Sequence, residues 1–192
     1  IIITFGTSWV YRNKATNAIV ANCHKVPQKE FSKEILSVET IEKSIQNSLD
    51  LIQKINPNAN FIFTVSPVRH LKDGFVENQL SKAHLITAIH KILESAIYFP
   101  SYEIMMDELR DYRFYAGDMI HPNSVAIDYI WQRFSETAIT VESQMIMKEV
   151  ETIQKGLQHR PFNPNSGSHQ LFLSKLQDKI EKLQKQFPQI QF

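Results

Sequence analysis

Apolar positions divide the chain into alternating short runs and longer periodic stretches. Ile1-Ile2-Ile3-Thr4-Phe5 is β-branched, continuously apolar and closed by Gly6, the pattern of a buried strand in a parallel sheet. Over residues 37–55, Ile41, Ile45, Leu49 and Ile52 recur on one helical face, and Asn56-Pro57-Asn58 stops the run. Phe61-Ile62-Phe63-Thr64-Val65 repeats the strand pattern and ends in Ser66-Pro67. After the Asp73-Gly74 turn signal, Leu85, Ile89, Ile92 and Ala96 predict a second helix over about residues 78–96. A third strand is expected over 102–106 and a loop over 107–117. A third helix then carries Val125, Ile127, Ile130, Trp131 and Phe134.

Strands alternating with helices predict a parallel α/β sheet. From residue 135 the character changes. Residues 135–157 have helical composition without a further strand, and 161–168 are rich in Pro, Asn, Ser and Gly, as a loop is. Residues 170–186 place Phe172, Leu176, Ile180 and Leu183 on one face of an amphipathic helix that ends near Pro188, with packing as its expected role. The expected organisation is one α/β domain over 1–134 and a helical extension over 135–192.

In parallel sheets the binding crevice lies at the carboxyl ends of the strands. Gly6-Thr7-Ser8, Ser66-Pro67 and Asp118-Met119-Ile120-His121 all fall on loops leading toward a helix, so the architecture should bring them to one edge. An aspartate three residues before a histidine lets a carboxylate oxygen reach the imidazole Nδ1–H, which fixes the tautomer and leaves Nε2 free to take a hydroxyl proton. Pro122 suits the first helical position and would make His121 a cap on an exposed rim. The same residues fit a second reading, in which Asp118 and His121 only cap the helix.

Charge and composition narrow the classes. The chain has 192 residues, a formal net charge of +1 and one cysteine, Cys23. Acids and bases are interspersed, so nucleic acid is not an expected partner. One cysteine excludes an internal disulfide and a cysteine-based zinc site. No apolar run approaches the roughly 20 residues a bilayer span needs, so no membrane partner is expected and a cytoplasmic location is the default. The chain opens without methionine on a buried-strand run, as a fragment would. His84, His90, His159 and His169 form no metal-ligand spacing, and no phosphate loop occurs, so neither metal nor cofactor is expected.

Three further clusters carry chemistry. In Asn22-Cys23-His24, placed in a long loop after the first strand, Asn22 could donate its amide to an oxyanion. Cys23 could be a nucleophile beside His24, or a small buried hydrophobe. Ser66 is well placed for a nucleophile, but Pro67 lacks the N–H that commonly completes an oxyanion hole after one. Arg69, next to His70, could grip an anionic substrate group or pair with Asp73.

Six blocks in order, Phe5-Gly6-Thr7-Ser8-Trp9-Val10-Tyr11, Asn22 to Pro27, Thr64 to His70, Tyr98 to Glu103, Asp107 to Tyr115 and Asp118 to Pro122, resemble the GSCFA-domain family. That family resembles a branch of the SGNH/GDSL hydrolases. The resemblance implies a flavodoxin-like three-layer α/β/α fold and a serine esterase in which Asp118 orients His121 as general base. The Gly-Ser-Cys-Phe-Ala motif of the family does not occur here, so the serine is expected upstream of Ile1 and the fragment is expected to be inactive alone. The superfamily's Gly-x-Asn-Asp block is also altered, reading Gly6-Thr7-Ser8-Trp9, and Asn22 is the substitute amide donor. Gly6, Thr7, Asn22, His24, Ser66, Arg69 and His70 are the expected oxyanion or substrate-binding residues. The expected substrate is an acyl ester, such as an acetyl group, on a carbohydrate or similar small molecule. The rival is a carbohydrate-binding or scaffold domain that keeps the fold without catalysis, with Arg69, His70, Tyr112 and Arg113 holding a ligand.

Overall fold

A computed structural model describes the whole chain except Ala21, His24, Glu94 and Ser95. The chain forms two compact units, Ile1–Gln132 and Arg133–Phe192.

The first unit is built on a parallel sheet. Strands β1 (Ile2–Phe5), β5 (Ile62–Val65) and β6 (Ile97–Phe99) lie in the order β1-β5-β6, with Thr4 opposite Thr64 and Thr64 opposite Phe99. The alternation of a strand puts Phe61, Phe63 and Val65 on one face. There they meet Ile41, Ile45 and Leu49 of α1 (Val38–Ile55) and Leu85, Ala88 and Ile89 of α2 (Phe75–His90) in one buried cluster. Phe5 and Ile3 of β1 pack against the same cluster, which fixes the register of the sheet. Ser37 caps α1 by accepting the Thr40 N–H at 3.2 Å, as its position before the apolar run predicts.

The chain after β1 differs from the expected long loop. It forms a second, antiparallel sheet in the order β3-β2-β4, from β2 (Trp9–Asn13), β3 (Ile19–Val20) and β4 (Phe31–Ile35). These strands mix polar and apolar residues, and their support is cross-strand: Arg12 pairs with Glu34, and Lys33 Nζ lies over the rings of Trp9 and Tyr11.

Two further expectations are corrected. The third strand is Ile97–Phe99, not 102–106. Pro100 ends that strand, and the buried residues Ser101, Tyr102, Met105 and Leu109 recur at helical spacing. This segment is helix α3 (Ser101–Glu103), which widens into a π turn over Ile104–Leu109 and ends at Arg110 in the left-handed region, φ 44°. Pro122 is not the first residue of the next helix. It forms an isolated bridge with Tyr115, and Asn123 caps α4 (Ser124–Ala138) by accepting the Ala126 N–H at 3.1 Å. The second helix is also displaced, starting at Phe75 rather than Asn78 and ending at His90.

Beyond α4, Thr140 interrupts the helical composition and caps α5 (Val141–Gln158), accepting the Ser143 N–H. Helix α6 (Gly167–Gln186) follows, capped by Ser166. Ile153 of α5 is buried with Leu176 and Leu183 of α6, and Ile146, Val150 and Ile180 line the same cluster. Gly156 permits the close approach: a Cβ there would lie 2.7 Å from Leu176 Cδ1.

Candidate functional site

Asp118 and His121 belong to a tight turn closed by Tyr115 and Pro122. Ala116 N–H donates to the His121 carbonyl at 2.7 Å and Met119 N–H to the Ala116 carbonyl at 3.0 Å. Met119 takes a left-handed φ of 59°, which folds the turn back on itself. Asp118 Oδ1 then accepts the backbone N–H groups of Ile120 (2.9 Å) and His121 (3.0 Å), and Oδ2 accepts the His121 Nδ1–H at 2.7 Å. The His121 backbone and imidazole donors, with the Ile120 N–H, hold the Asp118 carboxyl down at about 2. Asp118 is therefore an anion at any physiological pH, His121 carries its proton on Nδ1 when neutral, and Nε2 is the free nitrogen. The ring is exposed, and no hydroxyl among the described residues bonds to it.

The loops after β5 and β1 converge near this turn. Arg69 N–H donates to the Ile120 carbonyl at 3.2 Å, tying the loop after β5 to the Asp-His turn. His70, on the same loop, is anchored by its backbone N–H on Asn78 Oδ1 (2.8 Å), and its Nε2 lies where a Cβ on Gly6 would be only 3.2 Å away. Gly6 is needed here for close approach rather than for an unusual φ. Burial, with help from Lys82 and His121 and against Asp73, lowers the His70 pKa, so His70 favours its neutral form.

Lys82 is the residue that reasoning from the sequence missed. Its side chain is fully buried, and Nζ donates to the carbonyls of Gly6 (2.6 Å) and Ser66 (2.7 Å), joining the carboxyl ends of β1 and β5. Nζ also lies 5.6 Å from the centre of the Tyr102 ring. Burial lowers its pKa to about 8. The signal was present: Lys82, Ser81 and Asn78 precede Leu85 by three, four and seven residues, which makes them the polar end of a buried helix face.

The remaining candidates separate. Thr7 Oγ1 is bonded to Ser81 Oγ at 3.0 Å and accepts the Trp9 N–H, so its hydroxyl holds the loop after β1 on α2. Ser66 is half-buried, and its Oγ accepts the Val68 N–H at 3.2 Å. Asn22 is exposed, two residues past β3 on the antiparallel sheet, and Cys23 beside it is half-buried. His24 lies outside the described residues. Arg69 does not pair with Asp73, which is taken by Lys33 of β4. Its guanidinium instead lies over Tyr115, 4.2 Å from the ring centre, and Tyr112, 5.3 Å away. Among the described residues no group of three or more His, Cys, Asp or Glu could hold a metal ion, and no helix is long and apolar enough to cross a membrane.

The fold and site define a mixed α/β protein whose parallel strands carry an exposed, carboxylate-oriented histidine at their carboxyl edge. The GSCFA family model matches residues 1–134, and the model described as GSCFA domain protein, C-terminal domain, matches residues 150–192. The chain belongs to the GSCFA family. No match was found among curated proteins or among solved structures.

Proposed function

We propose that the protein is an SGNH/GDSL-like serine esterase on a three-layer α/β/α scaffold, hydrolysing an acyl, acetyl-type ester on a carbohydrate or similar small substrate. The observation that carries this reading is the 2.7 Å contact from His121 Nδ1 to an ionised Asp118, with Nε2 exposed and unpartnered among the described residues. In this reading a serine from outside these 192 residues approaches Nε2. His121 takes the hydroxyl proton as Oγ bonds to the ester carbonyl carbon, and returns it to the leaving alkoxide as the acyl–oxygen bond breaks. Water, deprotonated by His121, then cleaves the acyl-enzyme. Asp118 keeps the imidazole oriented and stabilises the imidazolium without taking the proton.

The test is labelling of the full-length protein with a fluorophosphonate and mapping of the adduct by mass spectrometry. The expected result is one labelled serine outside Ile1–Phe192, with labelling abolished in His121→Ala. A folded full-length protein that does not label, or that labels equally in His121→Ala, overturns the esterase.

A second reading, a carbohydrate-binding or scaffold domain without catalysis, is favoured by Arg69 stacked on Tyr115 beside Tyr112, which is 63% exposed. A folded protein that binds saccharide but resists the probe would select it.

A further inference from the structure

Beside the Asp118–His121 turn lies a small pocket of about 140 Å³ whose lining includes Arg69, Met105, Arg110, Asp111, Tyr112 and Tyr115. We infer that it is a subsite for an oxyanion group, a carboxylate or a sulfate, carried on a saccharide ring. The inference rests on the esterase reading only for its role in catalysis, where it selects acidic over neutral substrates; as a binding site it stands alone.

Charge is the first support. Among the described residues, two arginines and one acid line the pocket. That acid, Asp111, is satisfied elsewhere: Oδ1 accepts the Arg113 backbone N–H at 2.8 Å, and Oδ2 accepts Arg113 Nη2 at 3.1 Å. Asp107 and Glu108, the acids nearest Arg110 along the chain, are not among the described residues lining the pocket, and Asp118 has its oxygens engaged within its own turn. Among the described residues neither Arg69 nor Arg110 has a carboxylate partner. Arginine is a fork of donors matched to planar oxyanions, and leaving two beside one cavity without carboxylate partners provides for an anion from solution.

Preorganisation is the second. Arg69 is held by its backbone on Ile120, by Nη1 on the Met119 carbonyl at 3.4 Å, and by the Tyr115 and Tyr112 rings. Little rotamer freedom remains to be lost on binding. Arg110 is aimed by its left-handed backbone, which ends the π turn and is closed by its N–H on the Met105 carbonyl at 3.1 Å. The exposed Tyr112 ring supplies a flat apolar face at the rim, suited to the body of a sugar. In this arrangement the charged group meets the arginines in the pocket and the sugar ring rests on Tyr112 at its rim.

The experiment is calorimetric titration of the full-length protein with glucuronate, glucose 6-sulfate and glucose. Binding of either acid at least about tenfold tighter than glucose is expected, the tighter of the two identifying carboxylate or sulfate as the group. Arg110→Gln, an exposed substitution, should reduce that preference about tenfold, as should Arg69→Gln. Equal binding of acid and neutral sugar, or a preference unchanged in both variants, overturns the subsite. The serine probe on the wild-type full-length protein separates the two readings: acid preference in a wild-type protein that does not label leaves the subsite standing while the esterase falls.

Discussion

Lys82 Nζ donates to the Gly6 carbonyl oxygen at 2.6 Å, so a charged group inside the first unit fixes the end of β1 at the edge where the candidate site forms. Because burial holds Lys82 near 8, below the ordinary lysine value of 10.5, the unfolded chain binds this proton more tightly than the folded one. Between about pH 8 and 10.5 unfolding therefore takes up a proton, and Lys82 makes stability rise with pH across that window. Urea midpoints of wild type and Lys82→Met at pH 7 to 10.5 should diverge above pH 8, wild type gaining relative to the variant. Parallel curves would show that the lysine titrates normally.

The same variant tests the electrostatics of His70. Lys82 is one of the charges lowering its pKa, so Lys82→Met should move the His70 midpoint upward in an NMR titration, although burial keeps it below the ordinary value of 6.5. A downward movement would contradict the assignment.

Asp118→Asn keeps an oxygen for the Ile120 and His121 N–H groups but can no longer offer an anion to Nδ1. In the esterase reading kcat falls by about 10⁴, as for a triad histidine trapped in the wrong tautomer, with thermal unfolding little changed. Since Asp118 protonates only near pH 2, the acid limb of the wild-type kcat/KM profile should belong to another group. Full ester turnover in Asp118→Asn would remove the aspartate from the mechanism.

Core and surface phenylalanines should separate cleanly. Phe63 is 0% exposed between α1, α2 and β1, whereas Phe162 is fully exposed. Phe63→Ala should cost about 3–5 kcal/mol, and Phe162→Ala should fall within about 0.5 kcal/mol of wild type, both read from chemical denaturation. Comparable losses would contradict the placement of the core.

What the sequence disclosed follows the range of the interactions. The Asp118–His121 contact spans three residues, and the continuous apolar runs of β1 and β5 need no partner to be recognised. The β2-β4 pairing was hidden because Trp9-Val10-Tyr11-Arg12-Asn13 and Phe31-Ser32-Lys33-Glu34-Ile35 carry neither strict alternation nor an unbroken apolar run. Asp73 looked like a local partner for Arg69, yet Lys33, forty residues earlier, holds it. Lys82 escaped notice because a lysine on a helix is ordinarily read as solvent-facing, and only the neighbouring strand ends turn it inward.

The π turn over Ile104–Leu109 amounts to one residue more than a regular helix would need between Ser101 and Arg110. Removing a single residue from it would restore an ordinary helical repeat and leave the apolar composition almost intact. Because the wider turn takes up the extra residue, the elements beyond the deletion would stay close to where they are, Arg110 included. The placement of the two arginines is thus insulated from a one-residue change in the backbone count, and a relative lacking that extra residue should keep both beside the pocket.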